Sequence, residues 1–231
     1  MADNKIYLVG GAKGGTGKTM VCIALIDYLV CKNKNIYLIE TDTSNPDTYK
    51  SHQDTIKAEL INLDDADGWI TLVNICDSNK DSIIVINTGA RNNKGVSDYG
   101  PILSNTLKEL DRELITLWVI NRQRDSLELL KEYTTSIPSS DRHTVHVIKN
   151  AYFGDSKKYE LYNNSKIKTG IEDAGGKSLT FPDLADRVSD DLYTQRISVE
   201  KANKELPIGN RAELLRWKGE YNKMFGEIIS E

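Results

Sequence analysis

Cysteine is scarce in this chain: Cys22, Cys31 and Cys76 are the three among 231 residues, and no two form a CxxC pair. An odd, dispersed set argues against a disulfide framework, and Cys22 and Cys76, inside apolar runs, read as small core residues of a protein kept in a reducing compartment. Histidine is equally rare. His52, His143 and His146 have no cysteine or carboxylate beside them at metal-ligand spacing, so structural roles are expected for all three. An excess of positive charge is also missing; at a net charge of -4 no global basic field draws the chain onto nucleic acid. No stretch approaches the roughly 18 apolar residues of a membrane span, and the start, MADNKIYLVGGAKGG, lacks the basic and long apolar regions of a signal peptide. A cytoplasmic protein without membrane insertion is expected. Internal repeats and low-complexity tracts are absent as well.

What the chain does have is alternation. Short β-rich runs at Ile6 to Val9, Ile36 to Ile39, Ile83 to Ile86, Leu114 to Ile120, Val145 to Ile148 and Leu179 to Phe181 are separated by helical patterns such as Lys18 to Val30, Tyr99 to Leu110 and Ser126 to Tyr133. The runs are almost continuously apolar, as strands covered on both sides must be, so the pattern predicts an α/β fold: a doubly wound, mostly parallel sheet with helices on both faces. The length suits one domain over residues 1–231, with C-terminal helices from about residue 198 packed on it. The polar segment Asp155 to Gly176 reads as a mobile excursion. A last helix is expected from Asn210, its N-cap, to Ile229, with Leu214, Trp217, Tyr221, Met224, Phe225 and Ile228 on the face that docks on the core.

The strand at Ile6 to Val9 runs into GGAKGGTGKT, Gly10 to Thr19, and the glycine turn runs into a helix starting near Lys18. That is the context of a phosphate-binding loop. Glycines let successive N–H groups approach phosphate oxygens, and the helix N-terminus adds partial positive charge. Lys18 would bridge the β and γ phosphates of a nucleotide and Thr19 would place its hydroxyl on Mg²⁺. The ordinary GxxxxGK(S/T) spacing wants a glycine where Ala12 stands, and a second lysine, Lys13, needs its own explanation.

KGGTGKT, Lys13 to Thr19, resembles the deviant phosphate loop of the ParA and MinD class of P-loop ATPases. The resemblance implies ATP/ADP and Mg²⁺ as cofactors, with Gly14, Gly15, Thr16, Gly17, Lys18, Thr19 and Met20 around the nucleotide. It implies that Lys13 reaches the ATP of the other subunit in a homodimer formed on ATP binding. Asp42, in IYLIETD and 24 residues beyond Lys18, falls at the switch I aspartate that orients the attacking water. Asn87, in SIIVINTGARN, stands where the class normally has an aspartate holding a water of the Mg²⁺ shell; it offers an amide oxygen without charge, which points to slow hydrolysis or none. Thr88, Gly89 and Ala90 follow at switch II. Asn150, in VHVIKNAYFG, matches the residue that bonds the adenine edge, and Pro182 and Asp183, in LTFPDL, match the loop closing over the base.

IETDTSNPDTYKS, HVIKNAYFG and RISVEKANKELPIGNRAELLRWKGEY are most similar to small ATPases encoded beside plasmid conjugation and mobilisation genes, related to TraL and MobD proteins. That resemblance implies a molecular switch that recruits a protein partner of a DNA transfer or partition system. The alternatives are a non-hydrolysing nucleotide-binding scaffold, motivated by Asn87, and a metabolic ligase related to dethiobiotin synthetase, against which Lys13 argues. Lys157, Lys158, Lys166 and Lys168, with Arg91, Lys94, Arg122 and Arg124, read as solvated charge or as a surface for nonspecific DNA contact. No aromatic residues interleave with them to suggest single-strand stacking.

Overall fold

The computed structural model describes residues 4–11, 14–90 and 93–229. In chain order the elements are β1 (Lys5–Gly11), α1 (Lys18–Cys31), β2 (Ile36–Glu40), α2 (Asp47–His52), β3 (Lys57–Leu60), α3 (Ala66–Ser78), β4 (Ile83–Asn87), α4 (Asn93–Leu110), β5 (Glu113–Ile120), α5 (Arg124–Ser136) and β6 (His143–Asn150). Two short 3₁₀ turns, Ala151–Phe153 and Ser156–Lys158, lead to α6 (Glu160–Asn163), α7 (Lys166–Asp173), β7 (Ser178–Phe181), α8 (Asp186–Gln195), α9 (Val199–Glu205) and α10 (Ile208–Gly226).

The seven strands form one sheet in the order β3, β2, β4, β1, β5, β6, β7, and every neighbouring pair is parallel. Strand alternation divides the core in two. Tyr7 and Val9 of β1 face a layer holding α1, α8, α9 and α10, while Ile6 and Leu8 face the layer of α3, α4, α5 and α7. β1 is central, and the chain switches from one side of it to the other between β4 and β5, so the crevice beyond the C-terminal ends of these strands is where such a sheet binds ligands.

All six strands expected from the sequence form. β3 was not among them: KAEL alternates at the sheet edge, half exposed, and carries none of the continuous apolar signal of a buried strand. The stretch from Asp155 to Gly176 is not an excursion. It folds as α6 and α7, pinned by buried Tyr159, Tyr162 and Ile171, with the Tyr159 hydroxyl donating to Asn150 O at 2.6 Å and Tyr162 bonded to Ser178 Oγ at 2.8 Å. The last helix begins at Ile208 after Pro207, so Asn210 is no cap; it lies within the first turn and donates to Asp191 at 2.6 Å. Its inner face docks as the spacing predicts, with Leu214, Trp217, Tyr221, Met224 and Phe225 buried in the α1 layer.

The histidines are structural. His143 bonds Thr116 and the Pro138 carbonyl, His146 accepts from Lys177 N, and His52 bonds the Thr48 carbonyl, all at 3.0 Å. Burial lowers the pKa of each, that of His146 to about 4.

Candidate functional site

The turn after β1 is shaped by two glycines in the left-handed region, Gly15 at φ 77° and Gly17 at φ 97°, a conformation that costs any other residue strain. Gly17 caps α1 without a side-chain hydrogen bond, and a helix N-terminus of that kind suits an anion. A side chain at Gly17 would also collide with Asn150 Nδ2, 2.2 Å from where its Cβ would sit. Lys13 and Ala12 lie outside the described residues.

Lys18 opens α1 and is buried, 7% exposed. Burial pushes its ammonium down to about 8, with the nearby charges of Asp42 and Glu40 partly opposing that shift. Lys18 therefore joins the helix N-terminus to the carboxylates at the end of β2. Thr19 follows, half-buried, and Met20 is buried against the pocket described below.

Opposite the loop, the strand ends β2 and β4 are in register, Glu40 beside Asn87. Glu40 is fully buried and accepts from Asn87 Nδ2 through both carboxylate oxygens, at 3.2 and 2.9 Å, and from Asp42 N at 2.9 Å. Burial raises its pKa to about 7 despite these donors. Asn87 Nδ2 also donates to Thr48 Oγ1 at 3.1 Å, whereas Asn87 Oδ1 is buried without a partner. Sequence reasoning singled out Asn87 and passed over Glu40; the residue that could have revealed it is Asn87 itself, because a neutral residue at that place leaves the carboxylate to be found on the adjacent strand end.

Asp42 is half-buried. Its Oδ1 accepts from Ser44 Oγ at 2.7 Å and Asn45 N at 3.1 Å, so one oxygen fixes the turn into α2. Asp42 lines a cleft of about 120 Å³ with Thr41, Asp64, Gly89 and Ala90, which joins the turn after β2 to the one after β4. Thr41 ties them further, donating from Oγ1 to Asn87 O at 3.0 Å and accepting from Gly89 N at 3.1 Å. Asp64 is a second residue missed from sequence, since nothing local marks the loop after β3 as returning to this cleft.

The donors present fit Mg²⁺ bound with a nucleotide. Among the described residues no group of three or more His, Cys, Asp or Glu could hold a metal alone, but magnesium in phosphate sites uses one or two side chains together with phosphate oxygens and water. Thr19 supplies a hydroxyl, and the orphaned Asn87 Oδ1 and the Glu40 carboxylate are acceptors suited to metal-bound water.

A pocket of about 320 Å³ lies beside the turn, lined by Gly15, Gly17, Met20, Asn150, Pro182, Asp183 and neighbours on α8 and α10. Asn150 does structural work there: Nδ2 donates to Thr16 O at 2.9 Å and Oδ1 accepts from Tyr152 N at 3.1 Å. The 182–185 loop is clamped by α10, with Trp217 Nε1 donating to Pro182 O at 3.0 Å and Arg216 Nη2 to Asp183 O at 2.8 Å. Of the basic residues, Arg122 and Lys158 share one surface groove, Arg124 and Lys168 pair with Glu128 and Glu172, and Arg91 lies outside the described residues.

A family profile for the CobQ/CobB/MinD/ParA nucleotide binding domain matches residues 7–151. Protein MobD of Acidithiobacillus ferrooxidans is 60% identical over 226 residues, 98% of each chain. The MinD cell division protein of Aquifex aeolicus superposes with a TM-score of 0.55 at 14% identity, over 97% of this chain and 98% of its own. A nucleotide-binding protein in complex with ADP from Archaeoglobus fulgidus gives 0.50 at 12% identity, over 99% and 94%. At such identities the structural likeness is one of fold.

Proposed function

Because the chain belongs to the family of CobQ/CobB/MinD/ParA nucleotide-binding domains, we propose that it is an ATP-binding, slowly hydrolysing switch that pairs with a second copy of itself. Its protein partner acts in plasmid DNA transfer, mobilisation or partition. The observation that carries this reading is the glycine-shaped turn between β1 and α1, Gly15 at φ 77° and Gly17 at φ 97°, which leads straight into buried Lys18 at a helix N-terminus that no side chain caps. A phosphate chain is the kind of group that a glycine turn, a helix N-terminus and a lysine together suit.

In the proposed cycle Gly14 to Thr19 hold the phosphates through backbone N–H groups and Lys18. Mg²⁺ held there would supply charge neutralisation for the phosphates. Thr19 contributes a hydroxyl to that ion, and Glu40 and Asn87 hold its water. Asp42, with one oxygen fixed by Ser44 and Asn45, orients the attacking water from the cleft it shares with Gly89. Asn150, whose amide retains a second N–H and a second lone pair, meets the adenine edge in the pocket walled by Pro182 and Asp183. Lys13 reaches the nucleotide of the other subunit, so that it and Lys18 together offset the roughly -2 charge of Mg-ATP in a site shielded from water. No helix among the described residues is long and apolar enough to cross a membrane.

A second reading, a scaffold that holds nucleotide without turning it over, is favoured by Asn87, whose amide is spent on Glu40 and Thr48 and brings no charge. Calorimetric titration with Mg-ATP tests nucleotide binding: saturable heat in the wild type and none in Lys18→Ala is expected. Phosphate release then separates the readings. Turnover that disappears in Asp42→Ala supports the switch, and none in the wild type with partner and DNA present supports the scaffold.

A further inference from the structure

On one side the sheet ends at β7, whose outer edge borders a groove shared with α10. Val147 N donates to Lys177 O at 2.8 Å, which turns the odd-numbered residues of this stretch toward β6; by the alternation of a parallel ladder, the N–H and C=O of Ser178 and Thr180 point to the open edge. That edge forms one side of a groove of about 910 Å³, whose other side is α10. Thr180 is exposed along it. A strand edge with outward backbone groups is a template for another strand, and proteins that leave such an edge uncovered commonly use it for peptide recognition.

The charge of the groove selects the occupant. Carboxylates outnumber cations five to two along its lining, Asp155, Glu220 and Glu227 among them. Arg216 is bonded to Glu213 and Glu220, which leaves Asp155, Asp183 and Glu227 against Lys223. A second copy of this acidic chain, net charge -4, would bring carboxylates against carboxylates. We infer that the β7 edge and the facing side of α10 dock an extended, lysine- or arginine-bearing segment of a partner protein, which adds to the sheet as an eighth strand. The backbone ladder gives affinity, and alternate side chains of the added strand reach the acidic wall. This site is separate from the nucleotide crevice, but its wall continues into the base pocket through Pro182 and Asp183, which line both.

The test uses the full chain without nucleotide, so that its outcome does not depend on the ATP reading. A fluorescent decapeptide of alternating lysine and valine is titrated by anisotropy against one of alternating glutamate and valine. The lysine peptide is expected to bind at least tenfold more tightly. Thr180→Pro removes the outward N–H at an edge position where proline is tolerated, and is expected to weaken that binding at least tenfold with cooperative urea unfolding retained. Should that variant fail to fold, the surface double variant Asp155→Lys, Glu227→Lys is expected to abolish the preference for the lysine peptide. Equal binding of both peptides, or lysine-peptide binding indifferent to these substitutions, overturns the inference. So does a peptide-free dimer in light scattering that Thr180→Pro dissolves, because the edge would then belong to a second copy.

Discussion

Asn87 donates its side-chain N–H groups to both oxygens of the Glu40 carboxylate, 3.2 and 2.9 Å away, across the β2 and β4 strand ends. The pair separates two properties that one aspartate would combine: a buried, unbonded acceptor on Asn87 and a negative charge on Glu40. That charge is costly in so buried a place. Burial raises the Glu40 pKa from 4.5 to about 7, so between those values the folded chain binds more protons than the unfolded one and loses stability as pH rises. The window is worth up to about 3 kcal/mol at 1.36 kcal/mol per pH unit. Urea unfolding of the nucleotide-free protein at pH 5 and pH 8 is expected to show this decline in the wild type, and Glu40→Gln to remove most of it.

Restoring the charged residue at position 87 has opposite effects on the free and metal-loaded protein. Asn87→Asp sets two carboxylates side by side in a buried place, where one must hold a proton or both must repel. At pH 8 without metal the variant is expected to be less stable by on the order of 2 kcal/mol. Its melting temperature with ADP should then climb more steeply with Mg²⁺ than that of the wild type. Parallel Mg²⁺ titrations of the two proteins would contradict the assignment of these side chains to the metal shell.

The glycine turn after β1 was legible in the sequence because its requirement is local: φ of 77° and 97° at Gly15 and Gly17 admits few residues but glycine. The central strands were legible because burial on both faces forces unbroken apolar runs. Glu40 was not, since its importance comes from its register with Asn87, 47 positions away in the chain and set by tertiary pairing. Asp155 to Gly176 misled for the converse reason. Its composition is polar, yet a few tyrosines with bonded hydroxyls suffice to anchor it. Asn210 resembled a cap because Glu213 follows at the right spacing, whereas Pro207 starts the helix sooner and Glu213 instead accepts from Ala185 N at 3.2 Å.

Lys18 gives a proton-linked signature of nucleotide binding. In the free protein its ammonium titrates near pH 8, and contact with phosphate oxygens restores the charged form, so above pH 8 binding takes up a proton and affinity falls as pH climbs toward 10.5. Calorimetry of Mg-ATP at pH 8.5, in two buffers of different ionisation enthalpy, should give heats that differ by the uptake of on the order of half a proton or more. Heats independent of buffer would mean that Lys18 does not meet the phosphates.

In the proposed dimer Lys13 serves the opposite subunit, which would divide binding from assembly. Lys13→Ala is expected to keep Mg-ATP affinity within about threefold, a change of well under 1 kcal/mol, and to lose ATP-dependent dimerisation. Light scattering with and without ATP reads the second property directly. Wild type and variant dimerising alike would remove the shared-site arrangement while leaving the nucleotide site intact.

Asn150 serves two neighbours at once, and its variants can tell them apart. Its Nδ2 donates to the carbonyl of Thr16, a residue with no exposed surface, while the rest of the amide faces the base pocket. In Asn150→Ala the Thr16 carbonyl loses its donor, a cost of about 1 to 3 kcal/mol that falls on the loop whatever ligand it holds. Tripolyphosphate, which has no base, should therefore bind the variant roughly tenfold more weakly, at 1.4 kcal/mol per decade. ATP should lose a further factor of similar size, because the adenine contact goes too. If tripolyphosphate binds as it does to the wild type, the Thr16 bond contributes nothing to the loop; if the two ligands lose equally, the amide does not read the base.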